Sequence, residues 1–135
     1  MKRLIYQVYV GKKSKLYDHC VASVKAYCKK YGIDHEVQKT PILMIKPDVF
    51  QTNRSKESYE KYGGYLPIYE KENAFAYLKS YDQVAIIDAD IWIRPDAPNI
   101  FEDLEEEYAF GGVVERTMPL NSAYKNKIYN YSRMQ

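Results

Sequence analysis

Tyr81-Asp82-Gln83-Val84-Ala85-Ile86-Ile87-Asp88-Ala89-Asp90-Ile91-Trp92-Ile93 is the stretch on which the reading of this chain turns. Val84 to Ile87 is an unbroken apolar run, too short for a helix and without the polar alternation of a half-buried strand. It predicts a strand covered on both faces, as in the middle of an α/β sheet. Two carboxylates follow, one residue apart. In extended chain, residues i and i+2 point to the same side, with Cα atoms about 7 Å apart. Two such carboxylates repel and lose hydration unless a cation joins them. Oxygen donors suit Mg²⁺ or Mn²⁺, which also take water and phosphate oxygens. Ala89 leaves room for a bulky ligand near the backbone. Asp-x-Asp also occurs by chance at strand ends; the apolar flanks on both sides set this one apart. Ligands of open α/β sheets bind at the carboxyl edge, where this pair stands.

Working back, Pro67 starts a predicted helix that runs to about Ser80. On it Lys71 lines up with Ala74, Phe75 and Leu78 at spacings of three and four, so it shares the inward stripe. A helix that crosses back over a parallel sheet runs antiparallel to its strands. The start of this helix therefore lies near the carboxyl edge, and Lys71 can reach Asp88 or a diphosphate there. The competing role is a surface lysine with a buried stem. Residues 41–66 give no clear element, and a loop of that length is usually functional or mobile.

The beginning of the chain reads as a βαβ unit. Leu4 to Val10 is an apolar run bounded by Gly11, hence a buried strand. From Leu16 to Tyr31 the apolar positions 16, 20, 21, 24, 27, 28 and 31 have helical spacing. Lys29 and Lys30 suit the last turn, and Gly32 is a good stop. Ile33 to Thr40 alternates Ile33, His35, Val37 and Lys39 against Asp34, Glu36, Gln38 and Thr40, a second strand. Such a unit is right-handed with parallel strands. Beyond the acidic pair, Pro95 and Pro98 end the apolar run. Asn99 to Glu107 predicts a short acidic helix, Ala109 to Val114 a strand, and Asn121 to Arg133 a helix. The fold class is α/β: a three-layer α/β/α, Rossmann-like, mostly parallel sheet in a single domain, residues 1–135.

Composition narrows the partners. The 135 residues carry 20 basic and 18 acidic side chains, a net charge of +2. That balance argues against a nucleic-acid partner. No stretch is long enough to span a bilayer. Met1-Lys2-Arg3 opens like a signal peptide, but Gln7 breaks the apolar run that follows. Cys20 and Cys28 fall about 12 Å apart along one helix, too far for a disulfide. Reduced thiols fit a cytoplasmic location. Asn53-Arg54-Ser55 and Asn130-Tyr131-Ser132 are then chance sequons. Tyrosine stands out, at 15 residues against four Phe and one Trp. Its apolar body and polar tip suit wet clefts and interfaces.

Several chemistries are disfavoured. Gly11-Lys12-Lys13-Ser14 resembles a phosphate-binding loop only superficially, because position 6 is Tyr6 and position 13 is Lys13. No G-x-G-x-x-G is present. His19 and His35 stand apart from any Cys or His cluster, so zinc is not expected. No G-x-S-x-G elbow exists. Glu102, Asp103 and Glu105 to Glu107 read as a solvated helix face. Tyr9, at the same edge as the acidic pair, can stack on a base or pack in the core.

Tyr69-Glu70-Lys71, a helix, and then Tyr81 to Ile91 with its Asp88-Ala89-Asp90 resemble the core of GT-A glycosyltransferases of the glycogenin- and galactosyltransferase-like branches. The likeness covers residues 4–114 and is specific over 69–96. It implies the nucleotide-binding half of a GT-A fold. It implies a UDP- or GDP-sugar donor and an unknown acceptor, with Mn²⁺ or Mg²⁺ bridging the motif and the diphosphate. By this resemblance Asp90 is a metal ligand, and Asp88 binds ribose, metal or both. Tyr9, Val10 and Gly11, with Thr40, hold the base, and Asp88, Asp90 and Lys71 serve transfer. The metal acts as a Lewis acid on the leaving diphosphate. The family continues past this length and often carries a late histidine, whereas no histidine follows His35. Glu115 is the candidate carboxylate base, and a surface acid is the competing role. The alternative is a nucleotide-sugar-binding module without transferase activity of its own. A phosphotransferase of the haloacid-dehalogenase type also uses Asp-x-Asp, but near the N-terminus and followed by Thr or Val, not by Ile91. Tyr124, Tyr129 and Tyr131 suit an interface, and a homodimer is expected.

Overall fold

The computed structural model describes residues 1–46, 67–103, 108, 109, 111, 121–123 and 126. The chain divides into two compact units, Met1–Asn99 and Ile100–Gln135. The second unit contains a short 3₁₀ turn, Ile100–Glu102, where a longer acidic helix is expected, and helical residues at 122, 123 and 126. Residues 47–66 of the expected loop 41–66, most of the strand from 109 to 114, Glu115, Tyr124, Tyr129 and Tyr131 lie outside the described residues.

The first unit is built on three parallel strands, β1 (Arg3–Val8), β2 (Asp34–Gln38) and β3 (Gln83–Ile86), in the order β2-β1-β3. β1 is central, and Leu4, Ile5, Tyr6 and Gln7 are all buried. Val84 to Ile87 was the run expected to be covered on both faces. Among the described residues β3 is instead the edge, and Ile86 is 42% exposed. The most buried strand is the one interrupted by Gln7, because that strand has a neighbour on each side.

Helix α1 (Lys15–Tyr31) links β1 to β2. Ser14 caps its start, accepting from the Tyr17 N–H. Its inner face buries Cys20, Val24, Tyr27 and Cys28. Leu16, expected on that stripe, is exposed, since it lies in the first turn beyond the sheet's cover. Gly32 ends the helix at φ 64°, and the N–H groups of Gly32 and Ile33 both donate to the Cys28 carbonyl. An added Cβ at position 32 would meet nothing within 4 Å, so a substitution there is penalised by backbone conformation alone. Gly32→Ala should cost about 1 kcal/mol in a urea melt.

The return from β2 to β3 carries a second helix, Pro67–Lys79, wound as a 3₁₀ helix. Right-handed crossovers to opposite sides of β1 place this helix and α1 over opposite faces of the sheet. Tyr6 faces the Pro67–Lys79 helix, with its ring 5.4 Å from that of Tyr77. The expected stripe of Lys71, Ala74, Phe75 and Leu78 holds only in part. With three residues per turn, Lys71, Ala74 and Tyr77 share a row, with Glu70 and Asn73 beside it. Glu70 and Ala74 are buried, while Phe75 and Leu78 are turned out to solvent.

The apolar run Ile91-Trp92-Ile93 begins a strap along α1. The Ile93 N–H donates to Ser23 Oγ at 2.9 Å. Tyr27 and Tyr31 donate their hydroxyls to the carbonyls of Pro98 and Ala97, each at 2.7 Å. Lys30 reaches the Pro95 carbonyl at 3.1 Å. Part of the tyrosine excess thus serves as anchors for irregular backbone. Among the described residues no helix is long and apolar enough to cross a membrane.

Candidate functional site

Three parallel strands end together, and the residues singled out by sequence lie at that carboxyl edge. β1 leads into Tyr9, Val10 and Gly11; β2 leads to Thr40; β3 leads through Ile87 to Asp88, Ala89 and Asp90. The order β2-β1-β3 sends the connections from β1 and from β2 to opposite sides, which opens a switch point between the ends of β1 and β3. Tyr9 to Gly11 and the acidic pair flank that point.

The acidic pair is held on a turn rather than in extended chain. The Ile91 N–H donates to the Asp88 carbonyl at 3.1 Å, closing a turn over Ala89 and Asp90. Ala89 is buried, and both aspartates are exposed. The extended spacing read from the motif does not apply, because the β1–β3 ladder ends where Ile87 N–H bonds the Tyr6 carbonyl at 3.1 Å. A second donor, Gln7 Nε2, reaches the same Asp88 carbonyl at 3.2 Å. Gln7 is fully buried, and its Oε1 lies 2.8 Å from His35 Nε2. With the Gln7 amide nitrogen aimed at a carbonyl, its oxygen accepts, so His35 carries a proton on Nε2. Burial, and then Lys25 nearby, pull the His35 pKa below its ordinary value.

Lys71 reaches Asp88. Its Nζ pairs with Asp88 Oδ1, and the side chains are 33% and 53% exposed, respectively. A pair this open to water is worth at most about 1 kcal/mol. Both partners are therefore accessible to an incoming ion.

The neighbouring Glu70 faces the other way, and sequence reasoning missed it. Its side chain is fully buried. Its Oε2 accepts from the backbone N–H groups of Ile42 and Leu43 at 2.9 and 3.1 Å, and its Oε1 accepts from Met44 at 2.8 Å. Gln38 Nε2 and Asn73 Nδ2 donate to Oε2 at 2.7 and 2.8 Å. The Tyr6 hydroxyl donates to Gln38 Oε1 and completes the network. Burial by itself would raise the Glu70 pKa. The N–H donors of Met44, Ile42 and Leu43, with Gln38, outweigh it and bring it down to about 2. Glu70 thus clamps the chain after β2 against the helix that carries Lys71. Met44, at φ 50°, is the one described non-glycine residue in the left-handed region, and it is held there by this clamp.

Tyr9 takes the packing role of the two left open. It is buried, edge-on to Tyr17 at 5.4 Å, and donates to Asp18 Oδ1 at 2.9 Å. The Ser14 N–H donates to its hydroxyl at 2.7 Å, so Tyr9 fixes the loop from β1 to α1. Gly11 in that loop has φ 110°, a conformation open mainly to glycine. Thr40 is exposed, and its carbonyl accepts from Gln38 Nε2 at 2.9 Å.

The donor chemistry fits a hard cation. Mg²⁺ and Mn²⁺ are commonly held by one or two carboxylates, with water and phosphate oxygens filling the remaining positions. Asp88 and Asp90 supply the two carboxylates on an exposed turn. Among the described residues no three His, Cys, Asp or Glu side chains gather into a cage. No known family matches this chain, and no curated protein or solved structure is significantly similar to it.

Proposed function

We propose that this chain binds a nucleotide-diphosphate sugar at the carboxyl edge of its sheet, with a divalent cation, and transfers the sugar to an acceptor. On this reading the parallel sheet is the nucleotide-binding half of a GT-A glycosyltransferase core. The observation that carries it is the meeting of Lys71 with Asp88 beside a parallel-sheet switch point, with Asp90 exposed on the same turn. Asp88 and Asp90 hold the cation, Lys71 faces the diphosphate, and the Tyr9–Gly11 and Thr40 loops border the base. Bound Mn²⁺ or Mg²⁺ supplies positive charge to the departing diphosphate. Gln7 fixes the turn through the Asp88 carbonyl, and Glu70 fixes the loop after Thr40.

A donor-binding module without transfer activity is the second reading. It rests on the same groups, the Lys71–Asp88 pair with Asp90 on the adjoining turn, which suit phosphate and metal and need no acceptor. A cytoplasmic setting and a homodimer belong to the same proposal. Two free, buried thiols, Cys20 and Cys28, support the former.

Incubation with UDP- and GDP-sugars and Mn²⁺ tests the activity. Slow release of free sugar, or transfer to one of a panel of acceptors, is expected and should stop with EDTA. Donor binding without either product would favour the module. Absence of donor binding would refute both.

A further inference from the structure

We infer that Lys71 is the resident counter-ion of Asp88 and that a divalent cation releases it to the diphosphate, so cation and nucleotide bind cooperatively. The inference rests on the proposed reading of this site. Lys71 Nζ sits on Asp88 Oδ1, and both side chains are partly exposed. Breaking such a pair weakens a competing ligand by no more than about fivefold. The backbone beneath has no need to move, because Gln7 and the Ile91 N–H both hold the Asp88 carbonyl. Only side chains exchange.

Charge decides where Lys71 goes. In the ligand-free protein its ammonium neutralises Asp88. A dication on Asp88 and Asp90 is balanced by their two negative charges, and Lys71 is left with an uncompensated positive charge. Its sequence neighbour Glu70 cannot take it, since that carboxylate is committed to the Ile42, Leu43 and Met44 N–H groups. A diphosphate arriving beside the cation offers the ammonium a new partner. Each ligand therefore prepares the site for the other, and by linkage the gain is reciprocal.

Calorimetry on the full chain tests this with Mn²⁺ alone, UDP alone, and UDP in saturating Mn²⁺. Lys71→Met should bind Mn²⁺ alone two- to fivefold more tightly, and should bind UDP with Mn²⁺ about tenfold more weakly. Asp88→Asn, which frees Lys71 without any metal, should strengthen metal-free UDP binding, and adding Lys71→Met should abolish that gain. Unchanged or weaker Mn²⁺ binding in Lys71→Met would overturn the exchange. So would a gain in Asp88→Asn that persists when Lys71→Met is combined with it. If the wild-type chain takes up Mn²⁺ but no nucleotide, the transferase reading fails, while the Mn²⁺ comparison still decides whether Lys71 competes for Asp88.

Discussion

Glu70→Ala should destabilise the fold by about 3 kcal/mol in urea or thermal melts, more than any other single substitution considered. The removed carboxylate accepts from three consecutive backbone N–H groups and from Gln38 and Asn73. Hydrogen bonds to a charged group are worth about 1.5–3 kcal/mol each, but bonds that converge on one group do not add. Water can reach the partly exposed loop, which limits the loss further. Met44 would also lose the partner that holds its left-handed backbone. Glu70→Gln keeps the shape but replaces one acceptor with a donor aimed at other donors, so it should recover less than half of the loss. The pH dependence follows from the sign of the shift. Glu70 falls from 4.5 to about 2 on folding, so the folded protein favours its ionised form. That stabilisation is complete above pH 4.5 and is lost as the pH drops from 4.5 through 2. The wild-type protein should weaken steeply across this window, and Glu70→Gln should show a flatter profile. Equal profiles would mean that the clamp does not contribute to stability.

Asp90→Ala should weaken Mn²⁺-dependent binding of UDP or GDP on the order of 100-fold, about 2.7 kcal/mol. On the proposed reading the protein ligands are the two carboxylates of the 88–91 turn, so each would carry a large share of the cation's hold. The side chain is exposed, so stability should change by less than about 0.5 kcal/mol. Binding is thereby separated from folding, which the Glu70 substitutions do not allow. Binding in this variant equal to wild type, at matched Mn²⁺, would make Asp90 a surface acid.

What could be read from the sequence was local. The spacing of Cys20, Val24, Tyr27 and Cys28, and the stop at Gly32, act within one helix, and they mark it well; the capping role of Ser14 emerged only from the structure. The approach of Lys71 to Asp88 also followed, because a crossover helix must return its start to the carboxyl edge. Glu70 was hidden because its partners, Ile42 to Met44, lie 26 to 28 residues away and donate from backbone, which leaves no signature in side chains. Gln7 read as an interruption of its strand, and Gln38 as one of the polar positions of an alternating one. They are buried because each completes a polar network with another element. The outward turn of Phe75 and Leu78 came from the three-residue period of a 3₁₀ helix, which apolar spacing does not distinguish from the α-helical one over so short a span. The apolar run before Asp88 overstated the burial of β3, since composition shows what a strand tolerates and neighbours decide how much is covered.

The site itself is most directly tested by amide NMR of the ¹⁵N-labelled chain, titrated with UDP in the presence of Mg²⁺. Binding at the carboxyl edge should shift the amides of Gly11, Thr40, Lys71, Ala89 and Asp90, and leave those on the solvent side of α1, such as Ala22 and Ala26, in place. An unchanged spectrum at millimolar UDP and Mg²⁺, or shifts confined to α1 and the strap around Trp92, would contradict a nucleotide-diphosphate site at the end of this sheet.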